Sequence, residues 1–326
     1  MTTDAEPAPI DGAPGLRLVG GPSDTLARLR EAVRSALRGK EDVVDLALTA
    51  VLAGGHLLLQ DVPGVGKTTL AAALAAVVGG SFSRVQFTSD LLPADITGTN
   101  VLDPASGRFA FRPGPLFANV VLADEINRTT PKTQSALFEA MEEHQVSVDG
   151  RTHALPRPFL VIATQNPFDY HGTFQLPDSQ LDRFLMRLSI GYPDRRTERE
   201  ILRRVSDRRA PLAVVTEVDL VALMSAAAEI DVPELVEEYL LDLVRGTRTD
   251  PRLVRGVSTR GAQALHRAVR SHALVCGRHT AIPEDVRSVA IPVLAHRVLP
   301  RTGGAPGGDG GIDAIAALLD ELPSPL

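Results

Sequence analysis

The chain has little cysteine and few aromatic residues, and both shortages exclude functions. One of its 326 residues is a cysteine, Cys276, so an intramolecular disulfide is excluded. We expect this thiol to be a small buried hydrophobic group on a helix. Aromatic residues make up 4% of the chain and tryptophan is absent. That scarcity argues against the stacking platforms with which proteins hold single-stranded nucleic acid.

A net positive charge and long apolar runs are missing as well. Lysine and arginine total 34 against 40 acidic residues, a net charge of −6, so no overall attraction to DNA or to an anionic membrane is expected. The longest apolar stretches, near 46–59 and 70–78, are interrupted or too short to cross a bilayer. The first fifteen residues have neither a basic start nor an apolar run, so we expect no signal peptide there. We therefore expect no nucleic-acid partner, no membrane span and a cytoplasmic location.

The stretch 56–69, HLLLQDVPGVGKTT, has the pattern of a phosphate-binding loop. An apolar strand leads into a glycine-rich turn, and a helix is predicted from Lys67 to Val78. Backbone N–H groups of the turn and of the helix N-terminus would face a phosphate, and the Lys67 ammonium would add charge at the outer phosphates. The Thr68 hydroxyl would complete a Mg²⁺ site. The predicted nucleotide-binding residues are Asp61, Val62, Pro63, Gly64, Val65, Gly66, Lys67, Thr68 and Thr69.

One residue of this loop departs from the strict pattern G-x-x-x-x-G-K-[ST]. The pattern has glycine where this chain has Asp61. Aspartate tolerates left-handed backbone better than most residues, so the turn can survive, but its carboxylate must point away from a bound polyphosphate. A glycine-rich turn before an ordinary helix is the alternative. It does not explain why Lys67 stands in the first helical turn, where its charge opposes the helix dipole.

Two later apolar strands end in polar residues that suit the same chemistry. The run VVLADE at 120–125 ends in Asp124, a candidate ligand of Mg²⁺, and Glu125, a candidate base for the water that attacks the γ-phosphate. Asn166 follows the next apolar strand and could orient that water without adding charge. Taken alone, Asp124 and Glu125 would be an ordinary acidic strand end, and Asn166 would be an ordinary turn residue. The phosphate loop upstream favours the catalytic interpretation.

Two arginines are further candidates. Arg183 comes immediately before a predicted strand, and Arg260 lies in the first turn of a predicted helix. A cation in the first turn of a helix is unfavourable by about 0.3–1 kcal/mol because of the helix dipole. An anion bound near Arg260 would offset that cost. Taken singly, each arginine would be a solvated charge or half of a local ion pair.

Strands and helices alternate up to about residue 193, and from about residue 196 onward only helices are predicted. Such alternation predicts an open parallel sheet with its ligand outside the carboxyl ends of the strands. The segment 88–115 is too long for a turn and is predicted to be an inserted functional loop with short elements of its own. Residues 145–155 alternate around Asp149-Gly150, a strong hairpin signal. The predicted strands are 56–59, 83–87, 119–124, 159–164 and 184–190, and the predicted helices are 23–38, 42–53, 67–78, 131–144, 197–205, 219–230, 233–248, 258–276, 283–299 and a short one after 312.

Taken together, these motifs resemble the MoxR-type AAA+ ATPases over roughly residues 39–299. The runs that carry the resemblance are GGHLLLQDVPGVGKTTLA, FTSDLLPADITGTNVLD, FRPGPLFANVVLADEINRTTPKTQSALFEAMEEHQVSVDG, FLVIATQNPFDYHGTFQLPDSQLDRFLMRL, GVSTRGAQAL and IPEDVRSVAIPVLAHRV. The family often has an acidic residue at position 61. The N-terminal arm and a glycine-rich linker have no counterpart in the resemblance.

The resemblance implies an α/β fold, with a P-loop AAA+ αβα core whose parallel sheet has the order 5-1-4-3-2 and with a C-terminal all-helical lid domain. The expected division places the nucleotide-binding core at 21–193 and the lid at 194–300. Composition, not the resemblance, predicts a disordered arm at 1–20 and a flexible linker at 301–311, and apolar spacing predicts a short helix at 312–326. The segment 88–115 and the hairpin 145–155 match elements that project toward the pore of a hexameric ring.

The resemblance also implies roles for single residues. Gly64, Gly66, Lys67 and Thr68 match Walker A, and Asp124 and Glu125 match Walker B. Asn166 matches sensor 1, Arg260 matches sensor 2 on the lid, and Arg183 matches the arginine finger that reaches a neighbouring subunit's γ-phosphate. The implied cofactors are ATP and Mg²⁺. The implied partners are further copies of the chain, protein clients and a protein with a von Willebrand factor A domain.

Three functions are compatible with these features. The favoured one is a ring-forming, ATP-hydrolysing motor with a chaperone-like role in remodelling or maturing partner complexes. The second is a nucleic-acid motor, because related AAA+ helicases share the hairpin, although the hairpin here carries Asp149, Arg151 and His153 and is hardly basic. The third is a nucleotide-gated scaffold with negligible turnover, against which the full set of hydrolytic residues argues.

Overall fold

Five parallel strands form the central sheet of the computed structural model, which describes residues 22–78, 80–167, 172–203, 215–301 and 310–325. The predicted arm at 1–20 and most of the predicted linker at 301–311 lie outside these residues. The strands are β1 (His56–Gln60), β2 (Phe82–Gln86), β3 (Gly98–Asp103), β4 (Arg108–Pro113), β5 (Val120–Asp124), β6 (Gln145–Val148), β7 (Arg151–Ala154), β8 (Leu160–Gln165), β9 (Phe184–Leu188), β10 (Leu253–Arg255) and β11 (Leu299–Pro300). The central sheet has the order β2-β5-β8-β1-β9. Counted along the chain, this is the predicted order 5-1-4-3-2.

Helices cover both faces of this sheet and make up most of the chain after β9. The helices of the described residues are α1 (Pro22–Ala36), α2 (Glu41–Leu52), α3 (Lys67–Val78), α4 (Pro93–Thr97), α5 (Pro131–Glu143), α6 (Asp178–Leu181), α7 (Arg195–Arg203), α8 (Glu217–Ala228), α9 (Glu234–Thr249), α10 (Thr259–Val275), α11 (Pro283–Leu294) and α12 (Gly310–Glu321). A 3₁₀ turn, Ile126–Arg128, follows β5.

The two faces of the sheet build two separate apolar cores. Side chains alternate along a strand, so Leu57 and Leu59 of β1 point into one core while Leu58 points into the other. The first core is shared with α1, α2, α3 and the helices of the C-terminal region. The second is shared with α5. Because helices cover both faces, β5 is buried along its whole length, as expected for a parallel strand.

The segment 88–115 has short elements of its own, as predicted. It contains α4 and the antiparallel hairpin β3–β4. A second hairpin, β6–β7, packs against the first one through Phe111, which stacks on His153 with the ring centroids 3.8 Å apart. The Asn100 side chain of the first hairpin also donates to the Asp149 carboxylate of the second, at 2.6 Å. The two hairpins therefore contact each other through a ring stack and a hydrogen bond.

The C-terminal region is helical, with three differences from the prediction. A short antiparallel strand pair, β10–β11, lies among the helices, and the helix predicted at 283–299 ends at Leu294, before β11. Two or three residues of β-pairing leave no periodic signal in a sequence. Cys276 is also exposed rather than buried, because it caps the C-terminus of α10 and follows the last buried turn.

The helical region packs against one side of the core. α10 contacts α2, α8 contacts α1 and α2, and α11 contacts the edge strand β9. The predicted domain boundary near residue 193 falls between β9 and α7. Among the described residues, no helix is both long and apolar enough to cross a membrane.

Candidate nucleotide-binding site

Most of the predicted site residues lie where the strands of the central sheet end. Gln86, the last residue of β2, is level with Asp124 at the end of β5. Gln60 of β1 is level with Gln165 of β8, and the next backbone N–H, that of Asp61, donates to the Gln165 carbonyl at 3.2 Å. Parallel strands present their carboxyl ends at one edge. The phosphate loop, the acidic pair and Asn166 therefore share this carboxyl edge.

The phosphate loop has the backbone that its glycines predict. Gly64 and Gly66 have φ values of 84° and 105°, which glycine adopts at no steric cost. A β-carbon on Gly64 would meet no atom within 4 Å, so the loop is open at this point. α3 begins at Lys67, and the first N–H groups of a helix have no carbonyl partner within it. The loop and helix can therefore offer N–H groups to an anion.

The Lys67 ammonium lies within its own loop. Its Nζ donates to the carbonyl of Asp61 and, at 2.9 Å, to the carbonyl of Val62. An ammonium group has three donors and rotates freely about its stem. A phosphate entering the loop would therefore meet a cation that is already positioned beside it.

The Asp61 carboxylate points away from the loop, as the sequence requires. Its Oδ2 accepts hydrogen bonds from the Ser189 hydroxyl at 2.9 Å and from the backbone N–H groups of Ile190 and Gly191 at 2.7 and 2.6 Å. Its Oδ1 accepts from Val62 N at 2.8 Å. Burial on its own would raise the pKa of Asp61, but these hydrogen bonds outweigh it and the pKa is lowered. Asp61 thus joins the phosphate loop to the chain leaving β9.

Asp124 is a buried carboxylate with two firm contacts. Its Oδ1 accepts from the Thr164 hydroxyl of β8 at 2.6 Å. Its Oδ2 forms an ion pair of 2.7 Å with Arg84 of β2. Carboxylate and hydroxyl oxygens are the ligands that Mg²⁺ prefers, so Asp124 and Thr68 fit the predicted metal.

Glu125 departs from ordinary backbone geometry. Its φ and ψ are 58° and 52°, a left-handed conformation that costs a residue with a side chain about 1–2 kcal/mol. Such strain concentrates at functional sites. The carboxylate accepts from Gln86 Nε2 at 2.9 Å and pairs with Arg128 Nε at 3.0 Å. The candidate base is therefore held by two side chains that the sequence did not single out.

Asn166 is buried directly after β8. Its backbone carbonyl lies 3.4 Å from the Asn127 side-chain amide, and Asn127 comes two residues after Glu125. The Asn127 carbonyl in turn accepts from Phe174 N at 2.7 Å. This places Asn166 beside the acidic pair.

Arg183 lies at the opposite edge of the sheet. The residue after it, Phe184, is level with His56, the first residue of β1, whereas the phosphate loop follows the last residue of β1. With a rise of about 3.3 Å per residue, the two edges are about 13 Å apart along this strand. The Arg183 guanidinium is turned toward Glu142 at the end of α5, with nitrogen–oxygen distances of 2.8 and 2.6 Å.

Arg260 lies with Arg183 rather than with Lys67. Its guanidinium pairs with the same Glu142 carboxylate at 3.0 Å and with Asp182 at 3.6 Å. The hydrogen bond from Arg183, followed by that from Arg260, lowers the pKa of Glu142 despite partial burial. The structure therefore divides the predicted residues into a carboxyl-edge group and an arginine pair bridged by Glu142.

The chain is similar to known proteins over most of its length. Residues 56–186 match a model described as the ATPase family associated with various cellular activities, and residues 245–315 match one described as an AAA lid domain. Chaperone MoxR1 of Mycobacterium tuberculosis is 42% identical over 90% of this chain and 80% of its own length. Protein YeaC of Bacillus subtilis is 45% identical over 84% of this chain and 87% of its own. The crystal structure of a candidate ATPase from Cytophaga hutchinsonii has a TM-score of 0.84 at 33% identity, covering 94% of this chain and 96% of that one.

Proposed function

The chain belongs to the MoxR-type family of AAA+ ATPases, and from that premise we propose that it hydrolyses ATP at sites completed between neighbouring subunits of a ring. The reaction class follows from the family. What is proposed for this chain is the assignment of its residues and the contribution of a second subunit. The position of Arg183, on the edge of the sheet opposite the phosphate loop, is the observation that carries the proposal.

One subunit supplies the groups that bind and cleave ATP. The loop 61–69 holds the phosphates through its N–H groups and the Lys67 ammonium. Thr68 and Asp124 would hold Mg²⁺, which would neutralise phosphate charge at this site. Glu125 accepts the proton of the attacking water, and Asn166 orients that water.

The neighbouring subunit supplies the arginine. A guanidinium at the γ-phosphate stabilises the charge that spreads over its oxygens in the transition state. Arg183 is too far along the sheet to do this for its own loop. In a head-to-tail ring, one subunit's amino edge can face the next subunit's carboxyl edge. Arg260 accompanies Arg183 because both bind Glu142, so we propose that both arginines act on the neighbour's nucleotide.

We further propose the biological setting that the family suggests. The chain forms a homo-oligomer, a hexameric ring, that uses ATP to remodel protein clients together with a partner bearing a von Willebrand factor A domain. One relative is named a chaperone, which supports the chaperone-like role. A cytoplasmic location remains a prediction from the sequence.

Phosphate release from ATP with Mg²⁺ tests the enzymatic part of the proposal. Wild type should release phosphate, and Lys67→Ala should neither bind ATP nor release phosphate. Glu125→Gln should bind ATP at equilibrium and release no phosphate, because an amide cannot accept the proton of the water. Binding without turnover in wild type would instead support the nucleotide-gated scaffold. Equal turnover in Glu125→Gln and wild type would remove Glu125 as the base.

A further inference from the structure

Arg297 is a buried arginine whose guanidinium is bonded to one short segment of the core. It follows α11 in the helical region and is 7% exposed. Its Nε donates to the Asp182 carboxylate at 2.8 Å. The other two nitrogens donate to three backbone carbonyls of the core, those of Asp182 at 3.0 Å, Phe184 at 2.7 Å and Leu185 at 3.1 Å.

In the sequence, these acceptors lie on both sides of Arg183. Arg297 binds the residue before Arg183 and the two residues after it, so it fixes the backbone from which the Arg183 side chain extends. The Arg297 guanidinium is also anchored on its own side, because it donates to the carbonyl of Val293 in α11. The helical region and the segment 182–185 are thereby joined through one side chain.

Burying the charged Arg297 guanidinium costs free energy unless its N–H groups all make hydrogen bonds. Burial lowers the pKa of Arg297 to about 10, although the Asp182 charge opposes the shift. A buried cation persists only with a matching set of acceptors, and here most of that set belongs to the segment around Arg183. If position 297 only had to pack α11 against β9, an apolar side chain would do so equally well.

We propose that Arg297 is a positioning residue for Arg183, holding the arginine in the geometry in which it reaches the neighbouring subunit's nucleotide. This inference rests on the proposed function. It adds that a residue of the helical region, 114 positions along the chain from Arg183, controls how well that arginine works. A shift of the helical region would then move the arginine offered to the next subunit.

Lysine is the informative substitution at this position. It keeps the charge and most of the length, but one ammonium group cannot reproduce the planar fork that binds several acceptors at once. We expect Arg297→Lys to fold and to bind ATP like wild type. Its kcat should fall by between about tenfold and a hundredfold with KM unchanged, since a misplacement of about 1 Å can cost that much.

A double variant tests whether the effect passes through Arg183. If Arg297 acts only by positioning Arg183, then Arg297→Lys should cause no further loss of kcat in an Arg183→Ala background. Asp182→Asn, which weakens the same contact from the other side, should reproduce part of the Arg297→Lys loss. Arg278→Lys is the matched control, because Arg278 also binds a buried carboxylate of the helical region, Asp285, at 2.5 Å, and its hydrogen bonds stay within that region. The control should keep the wild-type kcat.

The results separate the inference from the function on which it rests. Wild-type kcat in Arg183→Ala would remove the proposed finger, and the positioning role with it. A loss in Arg183→Ala together with wild-type kcat in Arg297→Lys would overturn the positioning role alone. The positioning role would also be overturned if the loss of kcat in the double variant equalled the product of the losses in the two single variants. An Arg297→Lys protein with lowered thermal stability and an equal loss of kcat in Arg278→Lys would mean that Arg297 only stabilises the fold.

Discussion

Asp61→Gly is the substitution for which the structure and the sequence pattern give opposite expectations. Glycine at this position would restore the strict phosphate-loop pattern, and pattern matching alone predicts a neutral or improved protein. The structure predicts a less stable one, because the Asp61 carboxylate accepts three hydrogen bonds from residues 189–191. Glycine has no side chain and so can accept none of these three hydrogen bonds.

The size of the loss follows from those bonds. A hydrogen bond to a charged group contributes about 1.5–3 kcal/mol, and a buried N–H left without a partner costs about 1–3 kcal/mol. Ile190 N is buried and Gly191 N is partly buried, whereas the exposed Ser189 hydroxyl can turn to water. Glycine adds about 0.5–1 kcal/mol of backbone entropy. We therefore expect Asp61→Gly to lower the free energy of unfolding by about 3–5 kcal/mol.

Thermal unfolding measures this loss, with Asp61→Asn as the control that keeps the shape and one acceptor oxygen. The midpoint of Asp61→Gly should fall by about 5–15 °C, and Asp61→Asn should lie between it and wild type. The folded-state pKa of Asp61 is lowered, so its contribution is fully present above the unfolded pKa of about 3.9 and is lost as pH falls through the folded pKa. The difference between wild type and Asp61→Asn should therefore shrink below about pH 4. An Asp61→Gly protein as stable as wild type would refute the role of these bonds.

Two further predictions concern Arg260 and His56. Arg260→Ala should leave ATP affinity nearly unchanged and lower turnover, because Arg260 and Arg183 share Glu142. It should also reduce the difference between the proteolytic patterns with ATP and with ADP, and an unchanged difference would leave Arg260 a surface charge. Burial lowers the pKa of His56 to about 4, and its Nδ1 accepts from Val161 N at 3.0 Å. The free energy of unfolding should thus fall by about 3 kcal/mol as pH drops from about 6.5 to 4, because the unfolded chain binds a proton that the buried imidazole does not. His56→Gln should lose less over the same range, and an equal loss would contradict a buried, neutral His56.

The carboxyl-edge group could be predicted because each member follows an apolar run. The strand before Asp124 and the strand before Asn166 are continuous apolar segments, and parallel strands must end at a common edge. The glycine-rich turn before Lys67 has its own pattern. The sequence alone therefore predicts a shared edge for these residues, although Asn166 lies 42 positions after Asp124.

The residues that hold this group were not predictable in the same way. β2 is mostly exposed, so nothing in its sequence marks Gln86 as a partner of Glu125. Glu142 is one of several acidic residues at the end of a helix, and it becomes informative only when the fold brings Arg183 and Arg260 to it from 41 and 118 positions away. The sequence placed Arg297 inside the helix predicted at 283–299, and nothing in that pattern marks it as a partner of residues 182–185. Such contacts depend on tertiary packing, which local patterns do not encode.

Mixing two inactive variants tests the central claim, that each site takes its arginine from a neighbouring subunit. Arg183→Ala keeps the phosphate loop and lacks the arginine, whereas Lys67→Ala lacks the loop's cation and keeps Arg183. In a randomly mixed ring of equal parts, about a quarter of the interfaces would join an intact loop to an intact arginine. ATP turnover should then recover to about a quarter of the wild-type rate on mixing, while Lys67→Ala alone remains inactive and Arg183→Ala alone keeps only a small residual rate. No recovery, with subunit exchange shown independently, would contradict the account.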